Sequence, residues 1–155
     1  MNALKAYAEP ASLPATEPRR LARFLNLHEA GHMNEIAFAR RVAEGLPMSA
    51  VAALVETLGR GRLEGRIASE ATFHRHRKSG RALSRSHSDR IYGLVRVLDA
   101  VGRAFHGDVA RIDDFLNRPH PLLDGESPLD MATSSSAGAD VVLNLVRRAE
   151  AGVAV

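Results

Sequence analysis

Cysteine and tryptophan are both missing from this 155-residue chain, and aromatic side chains make up only 5% of it. Without cysteine there can be no disulfide framework and no thiolate metal site, and the composition fits a reducing, cytoplasmic setting. No apolar run approaches the roughly 20 residues that a membrane-spanning helix needs, so no membrane partner is expected. Met1 to Pro18 lacks the basic-then-apolar order of a signal peptide and reads as a frayed lead-in. Strand signals are scarce, whereas helical spacing recurs along the whole chain. With hydrophobic residues at 45%, the expectation is a packed all-α protein whose core rests on Leu, Val, Ala and Ile.

Charge is distributed unevenly. Residues 1–58 hold six basic and six acidic side chains, while residues 59–90 hold nine basic and three acidic, together with His74, His76 and His87. Residues 108–155 reverse the balance, with four basic and eight acidic. A cationic segment next to an acidic one is an electrostatic footprint, and nucleic acid is the partner it most often serves; a solvated arginine-rich surface is the plainer alternative.

Local signals divide the chain into helices. Leu21, Phe24 and Leu25 fit a short helix after Pro18. Met33, Ile36, Ala37, Ala39, Val42 and Ala43 fit a second, stopped by Gly45 and Pro47. Ser49 is a candidate cap for a third, with Val51, Leu54, Val55 and Leu58 on its apolar face and Gly59 as its stop. A short helix is expected around Arg62 to Arg66, then a helix over Glu70 to Lys78 capped by Ser69. Ser86 with Asp89 makes a capping-box signature for a long helix carrying Ile91, Leu94, Val95, Leu98, Val101 and Phe105, ended by Gly107. Asp108 opens a helix with Val109, Ile112, Phe115 and Leu116. Ser127-Pro128 opens a short one after the turn of Pro119 and Pro121. A last helix carries Val141, Val142, Leu145, Val146 and Ala149.

Two constellations carry chemistry. His28-Glu29-Ala30-Gly31-His32 satisfies the pattern H-E-x-x-H, in which two histidines one helical turn apart bind zinc and the glutamate acts as general base. The chain offers no recognisable third ligand and no sheet to align a peptide. A zinc-dependent hydrolase is therefore the minor alternative, with two solvated histidines as the bland one. The second constellation, Ser49 to Gly80, has the order of a helix-turn-helix, whose second helix enters the major groove. Ala71 and Phe73 are its expected inward residues. Ser69, Thr72, Arg75, His76, Arg77, Lys78 and Arg81 are its candidate DNA-binding residues, since arginine pairs with guanine edges and cations on phosphates release counterions.

From about Leu46 onward the chain resembles the Xre/MbcA/ParS antitoxin family. The resemblance is carried by "GLPMSAVAALVETLG", "IASEATFHRHRKSGR", "SDRIYGLVRVLDAVGRAF" and above all "FLNRPHPLLDGESPLDMATSSSAGADVVLNLVRRAEAGV". Phe115, Leu116 and Pro119 match the family's aromatic-Leu-Pro element. Gly125, Pro128 and Leu129 match its Gly and Pro-Leu element, and Gly138 and Gly152 its later glycines. In two places the chain departs from the pattern: Phe115 stands where tryptophan is usual, and the Ser134–Ser136 stretch adds a residue before Gly138.

The resemblance implies an Xre-like helix-turn-helix bundle joined by a long helix to a small helical toxin-binding module. The division it implies is an N-terminal extension over 1–45, partly helical, a DNA-binding region over 46–107 and a toxin-binding domain over 108–155. It implies toxin contacts from Leu116, Pro119, Leu129, Arg148, Gly152, Val153 and Val155. The partners implied are a cognate toxin of the RES-domain class, which degrades NAD, operator DNA, and a second copy in a homodimer. No enzyme activity, metal or cofactor is assigned to the chain itself. A stand-alone helix-turn-helix regulator, with a C-terminal module that is vestigial or serves dimerisation, is the main alternative.

Overall fold

Short polar side chains standing just ahead of apolar runs set the helix starts. In the computed structural model, which describes residues 2–152, Asn34, Ser69, Ser84, Asp108, Ser127 and Ser135 each accept a hydrogen bond from the backbone N–H three residues on. Each bond satisfies a donor that a helix's first turn leaves without an internal partner. In chain order the helices are α1 (Glu17–Phe24), α2 (Glu35–Glu44), α3 (Met48–Leu58), α4 (Arg60–Leu63), α5 (Glu70–Ser79), α6 (Arg85–Ala104), α7 (Val109–Asn117), α8 (Pro128–Ser134) and α9 (Ser136–Glu150). Among the described residues there are also four 3-10 turns, two ahead of α1 at Ala3–Ala8 and Pro10–Ser12 and two between helices at Ala30–His32 and Pro121–Leu123. Among the described residues there is no strand, only one isolated bridge between Glu64 and Ala68. The fold is all-α, as the sequence implies.

Several local expectations need correction. The third helix begins at Met48 with Pro47, not Ser49, in the cap position, and no side chain caps it. The short helix lies earlier than expected, because Gly65 at φ +79° cannot continue it and Gly65 N–H instead bonds to the carbonyl of Ala68. The cap of α6 is Ser84, bonded by His87 N–H at 3.1 Å, so the Ser86–Asp89 pair lies inside the helix. Ile36 and Val141, expected inside, are 66% and 45% exposed, and Leu143 takes the buried place on α9.

The core forms around α6. Its expected apolar stripe is buried apart from half-covered Phe105, but so are Gly93, Val97, Ala100 and Gly102, which belong to its other side. Helices α8 and α9 cover one flank, and α1, α2 and the first 3-10 turn cover another. Two glycines permit these close approaches: a Cβ at Gly93 would lie 2.9 Å from that of Ala139, and one at Gly102 would lie 2.9 Å from the Tyr7 ring. One hydrophobic cluster therefore runs from Leu4 to Val146 and takes in residues from the segment before residue 46. With Leu4 and Tyr7 buried, the stretch ahead of Pro18 is packed and not the frayed lead-in expected.

A charge is buried within this core. Asp99, fully buried on α6, accepts hydrogen bonds from Tyr7 Oη (2.8 Å), from Arg20 Nε and Nη2 (2.8 and 3.1 Å) and from Arg103 Nε (3.3 Å). Burial, then the Asp99 charge, pushes the Tyr7 hydroxyl far above its ordinary range. The hydrogen bonds to Asp99 likewise raise the Arg20 guanidinium against the opposing effect of its burial. Tyr7 thus stays a neutral donor while Arg20 stays charged, which a buried carboxylate requires.

Candidate nucleic-acid and partner interfaces

Helix α5 is well delimited. Ser69 accepts from Thr72 N–H at 3.1 Å, and its Oγ lies 2.9 Å from Thr72 Oγ1. Gly80 closes the helix in the left-handed conformation, its N–H bonded to the carbonyl of His76. Phe73 is the buried anchor at 3% exposure. Ala71, expected beside it, is exposed, because a spacing of two residues places them on different faces. Thr72 and His76 are half-buried, and His76 Nδ1 lies 3.3 Å from the Arg81 carbonyl. Arg75, Arg77, Lys78 and Arg81 are exposed. The candidate DNA-binding residues therefore sit on one helix and the loop that leaves it. Ser69 serves first as a cap, and Thr72 and His76 lie at the edge of the packed face.

Pairing separates the basic segment into two sets. Arg60 reaches Glu64 at 3.8 Å, Arg62 pairs with Asp113, Arg66 Nε meets Asp130 Oδ1 at 2.7 Å, and Arg90 donates to the carbonyls of Arg66 and Ile67. Arg75, Arg77, Lys78, Arg81 and Arg85 have no ion-pair partner among the described residues. Arg85 was missed in the sequence. It occupies the first turn of α6, where the helix dipole disfavours a cation, and that placement is the signal that points to it. Arg77 and Lys78 lie in the last turn of α5, where the same dipole favours them.

Next to this helix, His87 Nδ1 is buried without a hydrogen-bond partner. Burial, then the nearby Arg90 and His76 charges, lowers the imidazole below its ordinary value of 6.5.

The C-terminal module is built differently. Leu116 and Leu129, named as toxin-binding, are each only 1% exposed. As core residues they shape the module and have no surface to offer a partner. Gly138 lies where α9 crosses α8, and any Cβ there would run into the Met131 carbonyl and the Ser134 hydroxyl. Thr133, buried beside it, donates to the Leu129 carbonyl at 2.8 Å. Pro119, Arg148 and Gly152 are exposed, the last at φ +72°, while Val153 and Val155 lie outside the described residues. Leu122, 50% exposed, joins Val141 as a large apolar side chain left on this module's surface.

His28 and His32 are exposed but do not form the pair that zinc chemistry needs. The segment is a turn followed by the 3-10 turn Ala30–His32, and with three residues per turn positions four apart do not share a face. Among the described residues no three metal-ligating side chains gather anywhere, and none of the helices is long and apolar enough to cross a membrane.

Comparison with known families finds two matching domains. Residues 37–96 match the antitoxin Xre-like helix-turn-helix domain, and residues 102–152 match the antitoxin Xre/MbcA/ParS C-terminal toxin-binding domain. No curated protein matches the chain. With the two domains matched in order on either side of the middle of α6 and its end, the chain belongs to the Xre/MbcA/ParS family of antitoxins.

Proposed function

We propose that this antitoxin neutralises a RES-type, NAD-degrading toxin by covering its active site with the C-terminal module, and that as a homodimer it represses its own operon through α5. The observation that carries the reading is the run of unpaired cations from Arg75 to Arg85 around a capped recognition helix, in the same chain as a toxin-binding domain. Labour divides near residue 107: residues 46–107 contact DNA, residues 108–155 contact the toxin, and residues 1–45 support both. On α9, Ala137, Val141, Asn144 and Arg148 recur at three- and four-residue spacing and are all exposed, so they form one face that a partner can cover. Together with Pro119 and Leu122 they supply the contact surface, and the tail Gly152 to Val155 enters the cleft. Leu116 and Leu129 act by holding that surface in shape. Catalysis belongs to the partner; this chain's own task is occlusion.

The test is co-expression with the product of the neighbouring gene. The full chain should co-purify with it and keep cellular NAD at the level of toxin-free cells. A chain ending at Arg148 should keep its helical circular dichroism and lose protection. Full protection by the shortened chain would overturn the occlusion reading.

A further inference from the structure

Arg62 and Arg66 lie in the basic segment, yet both guanidinium groups are held by carboxylates of the C-terminal module. We propose that they are positioning residues, and that the ion pairs Arg62–Asp113 and Arg66–Asp130 are the links through which the toxin-binding module sets the placement of the DNA-reading helix. The inference rests on the reading of α5 as the DNA-contacting element.

The recognition unit is lightly attached. Within its own unit α5 packs against α3, and Phe73 is its one buried side chain. Between α4 and α5 runs the turn Glu64–Ala68, closed by Gly65 N–H on the Ala68 carbonyl at 3.0 Å. Arg66 is the centre of that turn. Its Nε meets Asp130 at 2.7 Å, its Nη1 donates to the Arg62 carbonyl at 3.1 Å, and its own carbonyl accepts from Arg90 Nη1 at 3.3 Å. The turn is thereby tied to α4, α6 and α8 together, and Ser69, the cap of α5, follows three residues later.

On the other side Asp130 is held as firmly. Its Oδ2 accepts from Ser127 Oγ at 2.6 Å, and its N–H donates back to that oxygen at 3.1 Å, which makes the cap of α8. The Ser127 hydroxyl and Arg66 hold the Asp130 carboxyl below the usual carboxylate range, so it remains charged under ordinary binding conditions. Hydrogen bonds thus run from the first turn of the module's α8 to the turn Glu64–Ala68, and the chain itself leads from that turn into Ser69, the cap of the recognition helix.

Both pairs are a third to a half exposed, which limits each to a change of about five-fold or less. The sign of the effect is what discriminates. If Arg66 instead contacted phosphate, freeing it by Asp130→Asn would tighten binding and steepen the salt dependence. Removing a negative charge tightens non-specific binding in any case, so a loss of affinity runs against the electrostatic trend.

The experiment measures binding of a duplex DNA fragment from upstream of the chain's own gene across a salt series. Asp113→Asn and Asp130→Asn should each weaken binding by about two- to five-fold with the salt slope unchanged. Arg66→Asp should weaken it further, and the swap Arg66→Asp with Asp130→Arg should restore affinity to within about two-fold of the parent. Asp113→Asn keeps the test valid should the α8 cap not tolerate changes at Asp130. Tighter binding by the Asp→Asn variants, or a swap no better than Arg66→Asp alone, overturns the positioning role. A parent chain that does not bind the fragment at all overturns the DNA-binding reading, and the inference with it.

Discussion

Near the C-terminal end of α6, Asp99 is buried and three side chains satisfy it, whereas beside the N-terminal end five cations from Arg75 to Arg85 are exposed with no carboxylate partner among the described residues. Both regions are rich in arginine and use it for different ends. At Asp99 the charges answer one another inside the fold, and the result is attachment of the first 3-10 turn and α1 to the central helix through Tyr7 and Arg20. At α5 the charges are left unanswered, and the result is a surface whose counterpart must come from outside. A cation that the fold neutralises is architecture; one that it leaves free is available for binding.

The largest effect should come from the buried end. Asp99→Ala leaves Arg20, only 12% exposed, without its counter-charge, and should cost about 3–5 kcal/mol of stability, read as a fall in the urea midpoint. A cost below about 1 kcal/mol, the range of exposed pairs, would erase the contrast between the two ends. Second, Arg75→Ala with Lys78→Ala should weaken DNA binding and lower the salt slope by about two, while the melting temperature stays at the parent value. An unchanged slope would remove both residues from the interface.

The smallest effect concerns pH. His87 has its folded value lowered, so the neutral form is favoured in the native state. Its contribution is whole above its unfolded value near 6.5 and is lost as pH falls through the lower folded value. The melting temperature should therefore drop modestly below about pH 6.5, and His87→Gln should flatten that drop. A variant with the parent's full pH dependence would clear His87 of the role.

Much of this arrangement could be read locally. Ser69, Asp108 and Ser127 cap the helices assigned to them, and Gly80 ends α5, because a cap or a stop involves groups only three or four residues apart. Where local signals competed, the sequence misled. Ser84 and Ser86 are equally capable caps, and the choice of Ser84 goes with burial of Ser88, whose hydroxyl accepts from Leu46 N–H at 2.8 Å. Val141 and Leu143 are both apolar on α9, and the packing of α6 and α8 against it decided which faces inward. At the candidate site the sequence located the cationic helix but could not tell free arginines from paired ones.

What the sequence by itself determined is the all-helical class, the order of the helices, the two family patterns and the concentration of positive charge before residue 90. Only the tertiary structure decided that residues 2–45 cover a second side of α6, and that Asp99 is buried within it. The same holds for Arg62 and Arg66, which answer Asp113 and Asp130. The physical reason is range. Capping, turn formation and net charge are properties of neighbours along the chain, whereas Tyr7–Asp99, Arg62–Asp113 and Arg66–Asp130 join residues 51 to 92 positions apart. Such pairs exist only once the whole core has closed.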